Sequence, residues 1–329
     1  MSALLIIDGG TTNLRITLLD SVSLKILGIH KTSSGVRLTA EDGHNKRLQS
    51  ALRNGIRNLL EEKGLSEKDI SRCIAYGMIT SNLGLLEIPH CIAPVTVSYL
   101  RDAIKTSVFS DISSFPIEFI PGVRNFSVEV NETNCHNMDM MRGEETEAVG
   151  LYRLLNLHAN ALFVLPGSHN KFVRMGTNGT ILGCMTSISG ELLDAMTHHT
   201  ILSDAVSRSF CTAETYKPNM ARAGAKECAE MGLGRAAFTG RILTTLGKVS
   251  ASSVQSWLLG AVLAEDIKAL LSFAGNQLSE IYVAGKPPLQ QAFLDVLDAL
   301  GLSGSHSVDP NLSAHMGVCG ALTIAGLYV

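Results

Sequence analysis

The stretch Leu4-Leu5-Ile6-Ile7-Asp8-Gly9-Gly10-Thr11-Thr12-Asn13-Leu14-Arg15-Ile16-Thr17-Leu18 decides how the chain is read. It opens with an apolar run of strand length ending at an acid. Gly9 to Asn13 make a polar turn, and Leu14 to Leu18 then alternate apolar and polar as a half-buried strand does. After Asp20-Ser21, Leu24 to Ile29 reads as a third strand, giving a three-stranded meander.

The same grammar returns at the midpoint. Ala161 to Leu165 is an apolar strand, Pro166-Gly167-Ser168-His169-Asn170-Lys171 a polar turn, Phe172 to Met175 the return, and Thr180 to Cys184 a third strand. Ile26-Leu27-Gly28 recurs as Ile181-Leu182-Gly183, and Gly9 and Gly167 lie 158 positions apart in a chain of 329. That spacing predicts a duplicated architecture, with lobes at 1–140 and 141–329. Helical periodicity over Leu48 to Lys63, Glu144 to Leu157, Glu191 to His199 and Val254 to Phe273 fills the spaces between. Strands alternating with helices in both halves make the fold class α/β. Ala213 to Gly247 mixes polar residues with several glycines and carries no clear pattern.

Composition narrows the function. With 46% hydrophobic and 17% charged residues, the chain has ample material for packed cores and is not disordered. Lys and Arg number 27 against 30 Asp and Glu, a net charge of −3, which lacks the basic footprint of a nucleic-acid binder. No apolar run reaches the ~18–20 residues of a membrane span, and no basic region precedes Leu4 as in a signal peptide. The seven cysteines are scattered without a C-x-x-C pair, so a disulfide framework or structural zinc is not expected. The expectation is a cytoplasmic protein with reduced thiols.

The chemistry sits in the turns. In Asp8-Gly9-Gly10-Thr11-Thr12-Asn13, glycines allow close backbone approach to a ligand, and hydroxyl and amide groups add donors. Arg15 adds a forked cation, and Asp8 could hold Mg²⁺ through water. An ordinary hairpin would also use Asp and Thr to satisfy its own backbone, but a second donor turn at Gly167 to Lys171 favours a polyphosphate. Gly285, at the corner after Ile281 to Ala284, allows close approach of a flat ring or ribose. Arg142-Gly143-Glu144-Glu145-Thr146-Glu147 opens a helix. Its acids complement the helix dipole, or one of them accepts a proton from a substrate hydroxyl. Ala314 to Ala321 is a helix of small residues suited to close packing.

Phosphate turn, acid-started helix, second phosphate turn, glycine corner and small-residue helix, in that order, resemble the ASKHA superfamily of acetate and sugar kinases, Hsc70 and actin. That resemblance implies two related ribonuclease-H-like (actin/hexokinase-like) domains with ATP in the cleft between them. Gly77-Met78-Ile79, Met141-Arg142-Gly143-Glu144-Glu145-Thr146, Leu165-Pro166-Gly167-Ser168-His169-Asn170-Lys171, Gly190-Glu191-Leu192 and Leu258-Leu259-Gly260-Ala261 are similar to the 2-keto-3-deoxygalactonokinase family. Those enzymes phosphorylate the 6-hydroxyl of 2-dehydro-3-deoxy-D-galactonate with MgATP in galactonate catabolism. The chain departs from the family at Gly9, where Trp is usual. It departs again at Ser81-Asn82-Leu83-Gly84-Leu85, where Ser-Arg-Gln-Gly-Trp is usual, and at Ser189, where Thr is usual.

The resemblance implies these roles. Asp8 organises Mg²⁺. Gly10, Thr11, Thr12, Asn13 and Arg15 hold the outer phosphates of ATP, and Gly167, Ser168, His169 and Lys171 clamp them from the second domain. Glu144 is the base, with Glu145 the second candidate. Ser81, Asn82 and Arg142 face the sugar acid, and Gly285 borders the adenosine. Losing an Arg at Asn82 removes a natural carboxylate partner, so a kinase for another aldonic or keto-deoxy acid is the first rival. A catalytically inactive sugar- or nucleotide-sensing protein of the same fold is the second. The sequence leaves the oligomeric state open, with a homodimer among the candidates.

Overall fold

A computed structural model describes residues 2–126, 129–275 and 280–328. The chain opens on β1 (Ala3–Gly9), β2 (Leu14–Asp20) and β3 (Ile26–Thr32), followed by α1 (Arg37–Asp42), α2 (Lys46–Glu62) and β4 (Ile70–Gly77). Then come β5 (Cys91–Ile92), α3 (Val97–Asp102), β6 (Lys105–Ser107), β7 (Ile117–Phe119), β8 (Val123–Arg124), β9 (Met140–Met141) and α4 (Glu144–Leu154). The second half runs β10 (Ala161–Leu165), β11 (Asn170–Met175), β12 (Ile181–Ser187), α5 (Ser189–His198), α6 (Pro218–Met231), α7 (Leu233–Thr245) and α8 (Ala251–Ala274). It ends with β13 (Glu280–Val283), α9 (Leu289–Ala299), β14 (His306–Ser307) and α10 (Pro310–Ile324).

Contacts divide the chain into one unit of Met1–Ala159, Met175–Gly183 and His315–Val329 and another of Asn160–Arg174 and Cys184–Ala314. The first division thus falls after α4 rather than at 140, and the C-terminal helix returns to the first unit from His315 onward. The reason is physical, since α4 and α10 bury small residues against each other, as described below.

In the first unit a six-stranded sheet has the order β3-β2-β1-β4-β7-β6. In the second, a five-stranded sheet has the order β12-β11-β10-β13-β14. Each therefore begins as the same meander and continues with a parallel neighbour of its first strand, β4 on β1 and β13 on β10. Residues Ala3 to Ile7 of β1 are all buried, as a central strand covered on both faces requires. Leu48, Leu52, Ile56, Leu59 and Leu60 of α2 recur at helical spacing and pack on Leu5, Ile7, Leu14, Ile16 and Leu18. The second core gathers Leu162, Val164 and Phe172 with Leu259, Leu263 and Ile267 of α8 and Phe293 and Val296 of α9.

Ala213 to Gly247 folds as two helices rather than a loose segment. Pro218 stands in the first turn of α6, where its missing N–H costs nothing. One of its glycines is a contact: a Cβ at Gly224 would lie 2.1 Å from the Trp257 carbonyl of α8, and from the α8 side one at Gly260 would lie 1.9 Å from that of Ala221. α8 is apolar all round because neighbours cover it, and no helix among the described residues is long and apolar enough to cross a membrane. α4 ends three residues earlier than periodicity predicts, where Asn156 turns the chain with a φ of 50°.

Candidate active site

The turn after β1 is held from behind. The carbonyls of Gly10, Thr11 and Thr12 accept hydrogen bonds from the N–H groups of Val36 (3.1 Å), Arg37 (2.9 Å) and Gly35 (2.9 Å). Only glycine fits at 35, because a Cβ there would lie 2.4 Å from the Thr11 carbonyl. Gly10 N–H closes the turn onto the Asn13 carbonyl at 2.9 Å, so it contributes conformation rather than a ready donor. Thr11, Thr12 and Asn13 are left exposed. A cavity of about 420 Å³ beside the turn is lined by Asp8, Asn13, Arg15, Lys31, Thr32 and Ser33 among others.

Asp8 pairs across the strands with Arg15 on one side and Tyr76 on the other. Burial pushes the Asp8 carboxyl up. Arg15 and a hydrogen bond from Tyr76 pull it down, and the nearby charge of Glu144 pushes it up again. Glu144 arrives from the start of α4, where Gly143, at a φ of 114°, comes close to Gly77. Its Oε2 accepts the Arg142 N–H at 3.1 Å, and the side chain is half-buried.

Glu145 differs. It is fully buried, and both of its oxygens accept from Gly143 N–H, at 3.0 and 2.8 Å, while Oε1 also accepts from Thr146 Oγ1. Its carboxyl therefore caps its own helix, unlike that of half-buried Glu144. Burial first, and the Glu144 charge second, push it up to about 8. The folded chain thus keeps a proton on Glu145 that the unfolded chain releases, and stability falls as pH rises from the ordinary carboxylate range to about 8. Glu147, pushed up by burial and by Asp8, acts in the same direction. Urea unfolding of Glu145→Gln at pH 5 to 8 is expected to show a flatter decline than the parent; an unchanged slope would contradict a buried proton there.

Asp8 is the group suited to a cation. It lies among carboxyls whose charges push one another up, and a single acid with phosphates and water is a usual way of holding Mg²⁺. Among the described residues no group of three or more His, Cys, Asp or Glu could hold a metal. Such an ion would thus be shared with the ligand.

The predicted sugar-facing residues behave less uniformly. Arg142 donates from Nη1 to Thr80 Oγ1 (2.8 Å) and from Nη2 to the Ile88 carbonyl (2.7 Å), so it braces the 80–88 segment from α4's entrance. Ser81 is buried and donates to the Met78 carbonyl at 2.7 Å, which commits its proton to the local turn. Asn82 is exposed. His90, beside Arg142, is pushed down to about 4 by burial and by that charge, so it stays neutral.

The second turn belongs to the other unit. Gly167 N–H donates to Asn170 Oδ1 (3.0 Å), so this amide too is turned inward. Asn170 Nδ2 donates to Asp266 Oδ2 (2.8 Å), and Ser189 Oγ donates to Asp266 Oδ1 (2.5 Å). Asp266 is 2% exposed in α8; burial pushes its carboxyl up while these donors pull it down. A Cβ at Gly190 would sit 2.5 Å from the Ser168 carbonyl, so glycine lets the start of α5 press against the turn. Ser168 and His169 are exposed, with His169 Nε2 2.7 Å from Glu191 Oε1, and buried Lys171 bonds to Thr186 Oγ1. Gly285 has a φ of 101° and packs beside Pro166. Three residues on, Pro288 and Leu289 help line an apolar cavity of about 230 Å³ with Leu193, Thr197, Leu258 and Leu259.

Comparison with known proteins decides the family. The family model for 2-keto-3-deoxy-galactonokinase matches residues 8–319, nearly the whole chain. The chain belongs to that family. A probable 2-dehydro-3-deoxygalactonokinase of Rhizobium meliloti (strain 1021) is 23% identical over 318 residues, covering 96% of this chain and 95% of that protein. A crystal structure from Sinorhizobium meliloti, provisionally assigned the same activity, superposes with a TM-score of 0.76 at 21% identity over 98% of each chain. The chain shares the fold of that structure, and the protein is a carbohydrate kinase that phosphorylates an alcohol group.

Tyr76, Gly35 and Lys31 join the first turn, and Asp266 backs the second through Asn170, without having been given those places by the sequence. Asp266 had a faint signal, since with Glu265 it is one of two adjacent acids in the largely apolar α8, and burial obliges the buried one to find partners. Gly35 and Tyr76 had none, because a residue that backs a distant turn is visible only once the strands are registered.

Proposed function

We propose that the protein transfers the γ-phosphoryl group of ATP to the 6-hydroxyl of 2-dehydro-3-deoxy-D-galactonate. The observation that carries this is the family match over residues 8–319. The geometry supports it through Asp8, Arg15 and Glu144, grouped at the mouth of one turn. Phosphoryl transfer needs little beyond positioning, charge neutralisation and a proton acceptor near the nucleophile. Arg15, Thr11, Thr12 and Asn13 bind the outer phosphates, while Ser168, His169 and Lys171 supply a second set of donors. Glu144 takes the proton from the attacking hydroxyl. Asp8 would hold Mg²⁺ together with the phosphates, and a bound ion would supply charge neutralisation there. The apolar cavity beyond Gly285 suits the adenine ring, since a flat base buries well between aliphatic side chains.

The test is ADP release coupled to NADH oxidation, with MgATP and a panel of acids. The panel comprises 2-dehydro-3-deoxy-D-galactonate, its gluconate epimer, galactonate, gluconate and a no-sugar control. Turnover on the first compound well above the rest is expected. Turnover on another acid alone would keep the kinase and reassign the substrate, the outcome that Asn82 in place of the family's Arg would favour. Silence across the panel, with ATP still bound, would replace the reading with that of a sensor.

A further inference from the structure

Lys31 lies outside every role assigned so far. Strand register puts Lys31 on β3 opposite Arg15 on β2, and Arg15 opposite Asp8 on β1. Directly paired residues on neighbouring strands share a face of the sheet. Two cations and an acid therefore form one row, and all three line the same 420 Å³ cavity together with Asn13, Thr32 and Ser33. The row runs from half-buried Asp8 and Arg15 to exposed Lys31. Like charges directly opposite each other on adjacent strands are destabilising. The Arg15–Lys31 pair thus works against the fold unless an anion lies across it. Asp8 is one strand removed from Lys31 and already answers Arg15.

We infer that Lys31 is a phosphate-positioning residue, a second cation that together with Arg15 holds the outer phosphates of the nucleotide. The inference rests on the kinase reading above and extends it to a residue on a different strand from the turn. A flexible ammonium suits the task, since it can follow a phosphate as charge moves from the transferring group to the leaving diphosphate, whereas Arg15 holds a fixed fork. Thr32 and Ser33, next along the chain, add hydroxyl donors at the same wall.

The experiment is calorimetric binding of adenosine, ADP and a non-hydrolysable ATP analogue with Mg²⁺ to the parent, Lys31→Ala and Lys31→Arg. Affinity for ADP and the triphosphate analogue is expected to fall about tenfold in Lys31→Ala, as loss of a charge-assisted contact would give. Adenosine binding should stay within twofold and Lys31→Arg should recover most of the loss. Unchanged triphosphate affinity in Lys31→Ala, or an equal loss for adenosine, would overturn the assignment while leaving the kinase intact. A rise confined to the KM of the sugar acid would also overturn it, by moving Lys31 to the acceptor. No nucleotide binding by the parent would sink the kinase reading itself, and Lys31's role with it. Without nucleotide, Lys31→Ala should melt at or above the parent, because the like-charge pair with Arg15 is gone, and Lys31→Arg should melt with the parent.

Discussion

Glu144→Gln is expected to lower kcat by a factor of about 100 or more, with the KM for ATP little changed. The substitution keeps shape and removes only the capacity to accept a proton. Of the acids in the first turn of α4, Glu144 and Glu147 remain half-buried and close to Asp8, whereas Glu145 is sealed onto Gly143 N–H. The paired variant Glu145→Gln therefore separates the two: its fall in kcat should be much smaller, and its effect should appear in the pH dependence of unfolding. Steady-state kinetics from pH 5 to 9 provide the readout. Near-normal turnover would remove Glu144 from the proton transfer and leave Asp8 as the acid to test.

What the sequence made legible was local. The meander, the polar turns and the acid-started helix each announce themselves within about fifteen residues, and the offset between Gly9 and Gly167 gave away the duplication. What stayed hidden was whatever depends on register or on a partner far along the chain. Glu144 and Glu145 look equivalent as neighbours, yet α4 turns one toward Asp8 and folds the other back on Gly143. Arg142 reads as a ligand for a carboxylate, but its guanidinium is braced against Thr80 and Ile88, fifty or more residues away. In both turns a glycine expected to hold phosphate, Gly10 in one and Gly167 in the other, uses its own N–H inside the turn. Ala213 to Gly247, with its several glycines, carried no clear pattern for the same reason: close approach, as at Gly224, leaves no trace until the neighbouring helix is known.

That last point carries the largest stability effect. A Cβ at Gly150 of α4 would stand 1.8 Å from the Met316 carbonyl and 2.6 Å from Gly320 N, and one at Gly320 of α10 would stand 1.8 Å from the Thr146 carbonyl. Gly317, one turn away, lies against the Tyr76 hydroxyl, where a Cβ would come to 2.0 Å. These obstacles are backbone or a ring fixed beside Asp8, so the helices can only move apart. Gly150→Ala is therefore expected to destabilise the protein by about 3 kcal/mol, the upper range for overpacking. Gly234→Ala is the control, since nothing lies within 4 Å of its Cβ and its helix gains propensity, so it should stabilise by about 0.5–1 kcal/mol. Urea unfolding compares the two. Equal stabilities would mean that α4 and α10 do not meet as described. The same displacement reaches the chemistry, because Thr146 stands two residues from Glu144 and Tyr76 hydrogen-bonds Asp8. Gly150→Ala and Gly317→Ala should thus lose turnover even at temperatures where they stay folded, as moving a proton acceptor by 1 Å can cost about 100-fold. A variant that is folded, binds nucleotide and turns over slowly would show that the small-residue seam sets the distance between the base and the transferred phosphate.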